Sequence, residues 1–111
     1  MANKLDQESL IKVSGGVKDD HDTLEKYRAI KSFYNEFKQK LTGIDSGYDY
    51  NRACEHLEDA ITDARYDCLD MAKRDLEEAL NNLNCLEKLY PNKSDIITPL
   101  ITKLDGLIKS L

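Results

Sequence analysis

The chain has 111 residues, of which 33% are charged and 41% hydrophobic, with a formal net charge of -5 and no Trp. That length suits one domain, and the apolar share is too high for a wholly disordered chain. Lys and Arg are scattered among acids rather than gathered on one stripe, which argues against a nucleic-acid binder and against a cationic, membrane-disrupting helix.

No stretch approaches the roughly 18 apolar residues of a membrane span, and the first residues lack the apolar core of a secretory signal peptide. Residues 1–16 are polar with spaced apolar positions and close on Ser14-Gly15-Gly16, a breaker that predicts a boundary. The acidic residues Asp19, Asp20 and Asp22 follow, and Asp22-Thr23-Leu24-Glu25 has the form of a capping box, so a first helix is expected from Asp22. Its apolar positions Leu24, Tyr27, Ile30, Phe33, Tyr34, Phe37 and Leu41 recur at steps of three and four and form one stripe. Lys38 and Lys40 suit the negative end of the helix dipole, Gly43 ends the element, and Ile44-Asp45-Ser46-Gly47 reads as a connecting loop.

Residues 49–90 contain neither Gly nor Pro. Tyr50, Ala53, Cys54, Leu57, Ile61, Ala64, Cys68, Leu69, Met71, Ala72, Leu76, Leu80, Leu83, Leu86 and Tyr90 keep helical spacing, with a shift of phase between Ala64 and Leu76. One continuous helix is the favoured expectation, since nothing in the stretch chemically stops it. A break in the Asp-rich region around Arg65-Tyr66-Asp67 would instead make two. After Pro91, residues 92–95 read as a turn, and Thr98-Pro99 suits an N-cap followed by the first helical position, so the last helix is expected near Pro99. Leu100, Ile101, Leu104, Leu107, Ile108 and Leu111 form its apolar face, and Gly106 weakens it by about 1 kcal/mol relative to Ala.

The expected fold is therefore all-α: an antiparallel bundle of three long helices, or four if residues 49–90 break, preceded by a short N-terminal segment. An unbroken spine would leave apolar surface poorly covered and favour a homodimer.

The N-terminal segment carries the one informative motif. Leu5, Leu10 and Val13, with Ile11, can share a broad helix face, and Gly15-Gly16 lacks β-carbons, so the backbone there can enter a narrow channel in extended form. Counted back from Gly16, the pattern Leu5, Leu10, Val13, Gly15, Gly16 resembles the double-glycine leaders of bacteriocins and related peptides exported by peptidase-containing ABC transporters. The resemblance implies that Leu5, Leu10 and Val13 dock in a groove of the transporter's papain-like peptidase domain and that cleavage follows Gly16. It divides the chain into a leader, residues 1–16, and a helical domain, residues 17–111. Ser9 stands where the family often has an acidic residue, with Glu8 one position earlier. Such cargo is typically shorter than the remainder here and often cationic. Lys4 and Lys12 balance Asp6 and Glu8, so leader removal leaves the charge at -5.

Other constellations have bland readings. Cys54, Cys68 and Cys85 are an odd set without CxxC spacing, neither a zinc site nor a disulfide framework, and read as free, partly buried thiols. Within one straight helix Cys54 and Cys68 would stand about 21 Å apart, too far to bond. The neighbours Cys54, Glu55 and His56 point in different directions and cannot converge on one ion. His21, in its acidic stretch, reads as solvated. The row Asp59, Asp63, Asp67 and Asp70 reads as a solvated face, without the spacing and glycine turn of a calcium loop. Among six tyrosines, Tyr27, Tyr34 and Tyr50 fall on apolar faces, whereas Tyr48 and Tyr90 lie at helix ends where they can anchor a partner.

No acids, bases or nucleophiles are set to converge, so no enzyme, metal or cofactor is expected. The expected protein is a secretion substrate, bacteriocin-like or signalling, exported after leader removal and acting on a protein target that the residues do not specify. The alternative is a cytoplasmic helical interaction protein such as a bacteriocin-immunity-like protein, a likeness of architecture that rests on no residue motif.

Overall fold

The computed structural model describes the backbone of residues 16–111, with side chains from Thr23 onward. Those residues form a bundle of four helices with no strand among them: α1 (Gly16–Lys40), α2 (Tyr48–Arg65), α3 (Leu69–Leu89) and α4 (Ser94–Ser110), the last preceded by a single 3-10 turn at Pro91–Lys93. Helix α1 starts at Gly16 rather than at Asp22. Between those positions there is no Pro and no further Gly, so the backbone continues through the expected cap.

The apolar stripe of α1 closes on the core through Ile30, Phe33, Phe37 and Leu41. Phe37 stacks between Phe33 and Tyr50, with ring centroids 6.4 and 5.3 Å away. Leu24, assigned to the same stripe, is 42% exposed, because it borders an open cleft against Ala64, Arg65 and Asp67 rather than the closed core. Gly43, at φ 103, takes the left-handed conformation that turns the chain out of α1, as its place after the periodic stretch suggests.

Residues 49–90 do not form one helix. Tyr66, Asp67 and Cys68 interrupt them, and the hydrogen bonds show how a helix stops here without Gly or Pro. Asp67 has a left-handed backbone, φ 63. Its N–H donates to the Ala64 carbonyl at 3.1 Å, and the Cys68 N–H donates to the Asp63 carbonyl at 2.7 Å. This is the paired closure of a Schellman motif, with Asp in the place that Gly usually fills. Asp tolerates that conformation better than most residues with a side chain. The expectation of a continuous spine is thus corrected, and the phase shift beyond Ala64 was the trace of the turn. Two residues placed on the apolar face by spacing, Cys68 and Met71, stand exposed beside it.

The reversal lets α2 and α3 pack as an antiparallel hairpin. Ala53, Ala60 and Ala64 meet Ala72 and Ala79 with Leu57, Leu76 and Leu83, all fully buried. Alanine at so many positions lets the two backbones approach closely. Helix α1 lies along α2 and α4 along α3, and Glu36 joins α1 to α4 by accepting from Lys103 Nζ at 2.5 Å. The hairpin covers the apolar stripe that a continuous spine would have left for a second copy.

Helix α4 starts at Ser94, five residues before the expected position, so Pro99 lies inside it. Thr98, expected as an N-cap, instead donates its hydroxyl to Glu87 of α3. Pro99 lacks the N–H that would bond the Asp95 carbonyl, a defect tolerated because Ile97, Leu100 and Leu104 are buried on either side of it.

Candidate functional site

Of the residues assigned to leader recognition and cleavage, Leu5, Leu10, Val13 and Gly15 lie outside the described residues. Gly16 is the first residue of α1, which places the expected scissile bond, between Gly16 and Val17, in a helical first turn. Six further residues separate it from Thr23, the first residue of α1 whose side chain is described. There, Thr23 Oγ1 donates to Asp67 Oδ1 at 2.7 Å and ties α1 to the turn between α2 and α3. Thr23, Leu24 and Tyr27 on one side, and Ala64, Arg65 and Asp67 on the other, line an open cleft of about 510 Å³ at this end of the bundle. Tyr66 and Met71, both more than half exposed, stand nearby in sequence on the hairpin. Among the described residues, the buried core begins at Ile30.

The outer edge of the hairpin holds the main cluster of titratable groups. From α2 come Arg52, His56, Asp59 and Asp63, and from α3 comes Asp75. The Arg52 guanidinium lies 3.4 Å from His56 Nε2 and donates to it, which puts the ring proton on Nδ1. That Nδ1 is buried and faces Asp75 Oδ1 at 3.7 Å, beyond hydrogen-bond reach. Partial burial, then a hydrogen bond with Asp63 and the charges of Asp63 and Asp59, push the Asp75 carboxyl up to about 7, against a smaller opposing pull from Arg74.

A second cluster joins α1 to α2. The Tyr34 hydroxyl donates to Glu58 Oε2 at 2.5 Å, and its phenol is held well above the ordinary tyrosine range by burial and by that bond. Burial, with Cys54 next to it, likewise pushes Tyr50 up to about 12. Burial raises Cys54 itself, so its thiol is poorly suited to nucleophilic work. Glu36 is lowered instead, by the hydrogen bond from Lys103 and then by that from Lys40.

These contacts separate the residues that the sequence sets side by side. Cys54 faces Tyr34 and Tyr50, Glu55 pairs with Arg52 at 2.6 Å, and His56 faces Asp75. The acidic row divides in the same way, with Asp59 and Asp63 acting on Asp75 and Asp67 holding Thr23. Among the described residues no group of three or more His, Cys, Asp or Glu is arranged to hold a metal ion. No described helix is long and apolar enough to cross a membrane. All three cysteines are free, but only Cys54 is partly buried; Cys68 and Cys85 are exposed, which corrects the expectation of three partly buried thiols.

Asp75 escaped the sequence reading because its partners are set by the turn at Asp67. Once the chain reverses there, His56 and Asp63, one heptad apart on α2, both come to face α3. No family model matches the chain, and no curated protein or solved structure is significantly similar to it.

Proposed function

We propose that this chain is a double-glycine secretion substrate, bacteriocin-like or signalling, whose helical cargo is residues 17–111. Leu5, Leu10 and Val13 dock in the peptidase domain of an ABC exporter, which cuts after Gly16 and releases a secreted, non-enzymatic protein that acts by binding a target. The observation that carries this reading is the pattern Leu5, Leu10, Val13, Gly15, Gly16. The described helices α1 to α4, with their buried core between Ile30 and Ile108, are the cargo that this reading assigns to residues 17–111.

The test is the product mass after full-length protein is incubated with purified peptidase domains of double-glycine transporters. One cut between Gly16 and Val17, abolished by Leu10→Ala or Gly15→Val, is the expected result. Absence of that cut with several such domains overturns the reading and favours a cytoplasmic helical interaction protein.

A further inference from the structure

We propose that the outer face of the α2–α3 hairpin is a docking surface for a basic helix of a partner protein, held at its two ends by apolar side chains and along its middle by carboxylates. Five large apolar side chains stand exposed among the described residues, and four of them lie on this hairpin. Tyr48 and Tyr66, at the ends of α2, are 75% and 72% exposed, and Met71 and Leu89, at the ends of α3, are 54% and 62% exposed. Each pair is 18 residues apart in sequence, five helical turns, so its members share one face about 27 Å apart. The hairpin is antiparallel, so Tyr48 stands at the same end as Leu89, and Tyr66 at the same end as Met71. Helices α1 and α4 pack on other flanks of the hairpin, meeting it through Tyr34 with Glu58 and through Thr98 with Glu87.

The charge between the apolar ends selects the occupant. On α2 the stripe between the tyrosines runs Arg52, Glu55, Asp59 and Thr62, and on α3 that between Met71 and Leu89 runs Asp75, Glu78, Asn82 and Cys85. With Asp63 beside them, five carboxyl groups stand against two bases, Arg74 and Arg52, and Arg52 already pairs with Glu55 at 2.6 Å. A second copy set on this face would bring carboxylates against carboxylates. A phosphate surface, whether nucleic acid or anionic lipid, is repelled in the same way. A helix with Lys or Arg along one face is attracted by the middle. With a large apolar residue near each end, about 18 positions apart, it also covers the two pairs of exposed side chains. Tyrosine at both ends suits that role, since it offers a large contact area at little cost in side-chain freedom.

This inference deepens the reading of the chain as a protein that acts by binding a target. It uses neither the leader nor export, so failure of the cleavage and failure of the docking are separate results.

The experiment is titration of the full-length protein with a synthetic alanine-based helical peptide of about 22 residues, followed by amide shifts in nitrogen-15 NMR. The peptide carries Leu near each end, at the spacing of Tyr48 and Tyr66, and Lys between them on the same face. Two control peptides replace Lys by Glu, or Leu by Ala. Binding should be lost with the Glu peptide and weakened about tenfold without the leucines, with shifts confined to α2 and α3. In the protein, Tyr66→Ser with Leu89→Ser should weaken binding about tenfold, as should Asp59→Lys with Glu78→Lys, whereas Leu24→Ser should leave it unchanged. These sites are exposed, so all the variants should keep the native fold, checked by circular dichroism. No binding of the Lys and Leu peptide at about 1 mM overturns the proposal. So does binding that ignores the leucines or the Tyr66 and Leu89 changes, which would be charge attraction alone, and so do shifts centred on α1 or α4. Self-association of the native protein that Tyr66→Ser with Leu89→Ser abolishes would assign the face to a second copy and overturn it too.

Discussion

Replacing Asp67 tests the residue that makes a bundle of what would otherwise be one long helix. Its backbone is left-handed, φ 63, and its carboxylate accepts from Thr23 at 2.7 Å. In Asp67→Ala the left-handed conformation costs about 1 kcal/mol more, since Ala has no side chain to bond locally. Loss of the Thr23 bond adds about 1 kcal/mol. Asp67→Gly loses the same bond but relieves about 1 kcal/mol of backbone strain, so its net change is near zero. The Ala variant should therefore melt roughly 8 °C or more below the native protein, and the Gly variant within a few degrees of it. Thr23→Val should cost about 1 kcal/mol in the native background and almost nothing in Asp67→Gly, because the bond it removes is already gone. Thermal unfolding followed by circular dichroism reads the native protein, the three single variants and the double variant. Equal melting of the Ala and Gly variants would refute the left-handed turn, and an unchanged Thr23→Val penalty in Asp67→Gly would refute the tie to α1.

Three further outcomes follow from packing and burial. Leu83→Ala empties a fully buried site on α3 and should destabilise the protein by about 2–5 kcal/mol in urea unfolding. Pro99→Ala should stabilise it by about 1 kcal/mol, seen as a higher melting temperature, because the amide facing the Asp95 carbonyl is restored and the site is exposed. With a thiol reagent at pH 8, Cys68 and Cys85 should react well before Cys54, which is partly buried and shifted upward; equal rates, followed by mass spectrometry of the three peptides, would contradict that burial.

Most of the helical pattern was legible, because period and punctuation carry it. The stripe Ile30, Phe33, Phe37 and Leu41 is buried as its spacing requires, and Gly43 turns the chain where a glycine after a periodic run should. The errors lie where a residue does uncommon work. Asp67 fills a glycine's place, so a rule that looks for Gly or Pro passes over the break. Pro99 sits within a helix because buried neighbours outweigh its missing bond, so a rule that reads Pro as a start moves the boundary by five residues. The polar seam was legible only in halves. His56, Asp59 and Asp63 lie on one edge of α2, but Asp75 joins them only if the chain reverses, and that depends on the break at Arg65-Tyr66-Asp67, which the sequence offers only as the second of two expectations.

The start of α1 bears on how the proposed cleavage and the fold coexist. A papain-like peptidase acts on an extended backbone, yet the Gly16–Val17 bond lies in a helical turn. To present it, the chain must unwind from Gly16 toward Thr23, which gives up the backbone bonds of the first two turns. Each contributes about 0.5–1.5 kcal/mol net, and less where water takes over the freed groups. Among the described side chains, the first interhelical hydrogen bond of α1 comes at Thr23 and the first buried residue is Ile30, so opening as far as Thr23 leaves those contacts and the buried leucines of the hairpin in place. Helix formation at Gly16 and cleavage after it therefore compete only within a marginal N-terminal turn. On this reading the body can be folded when the leader is cut, and a substitution that stiffens residues 17–22 into helix should slow cleavage without changing the melting temperature of the product.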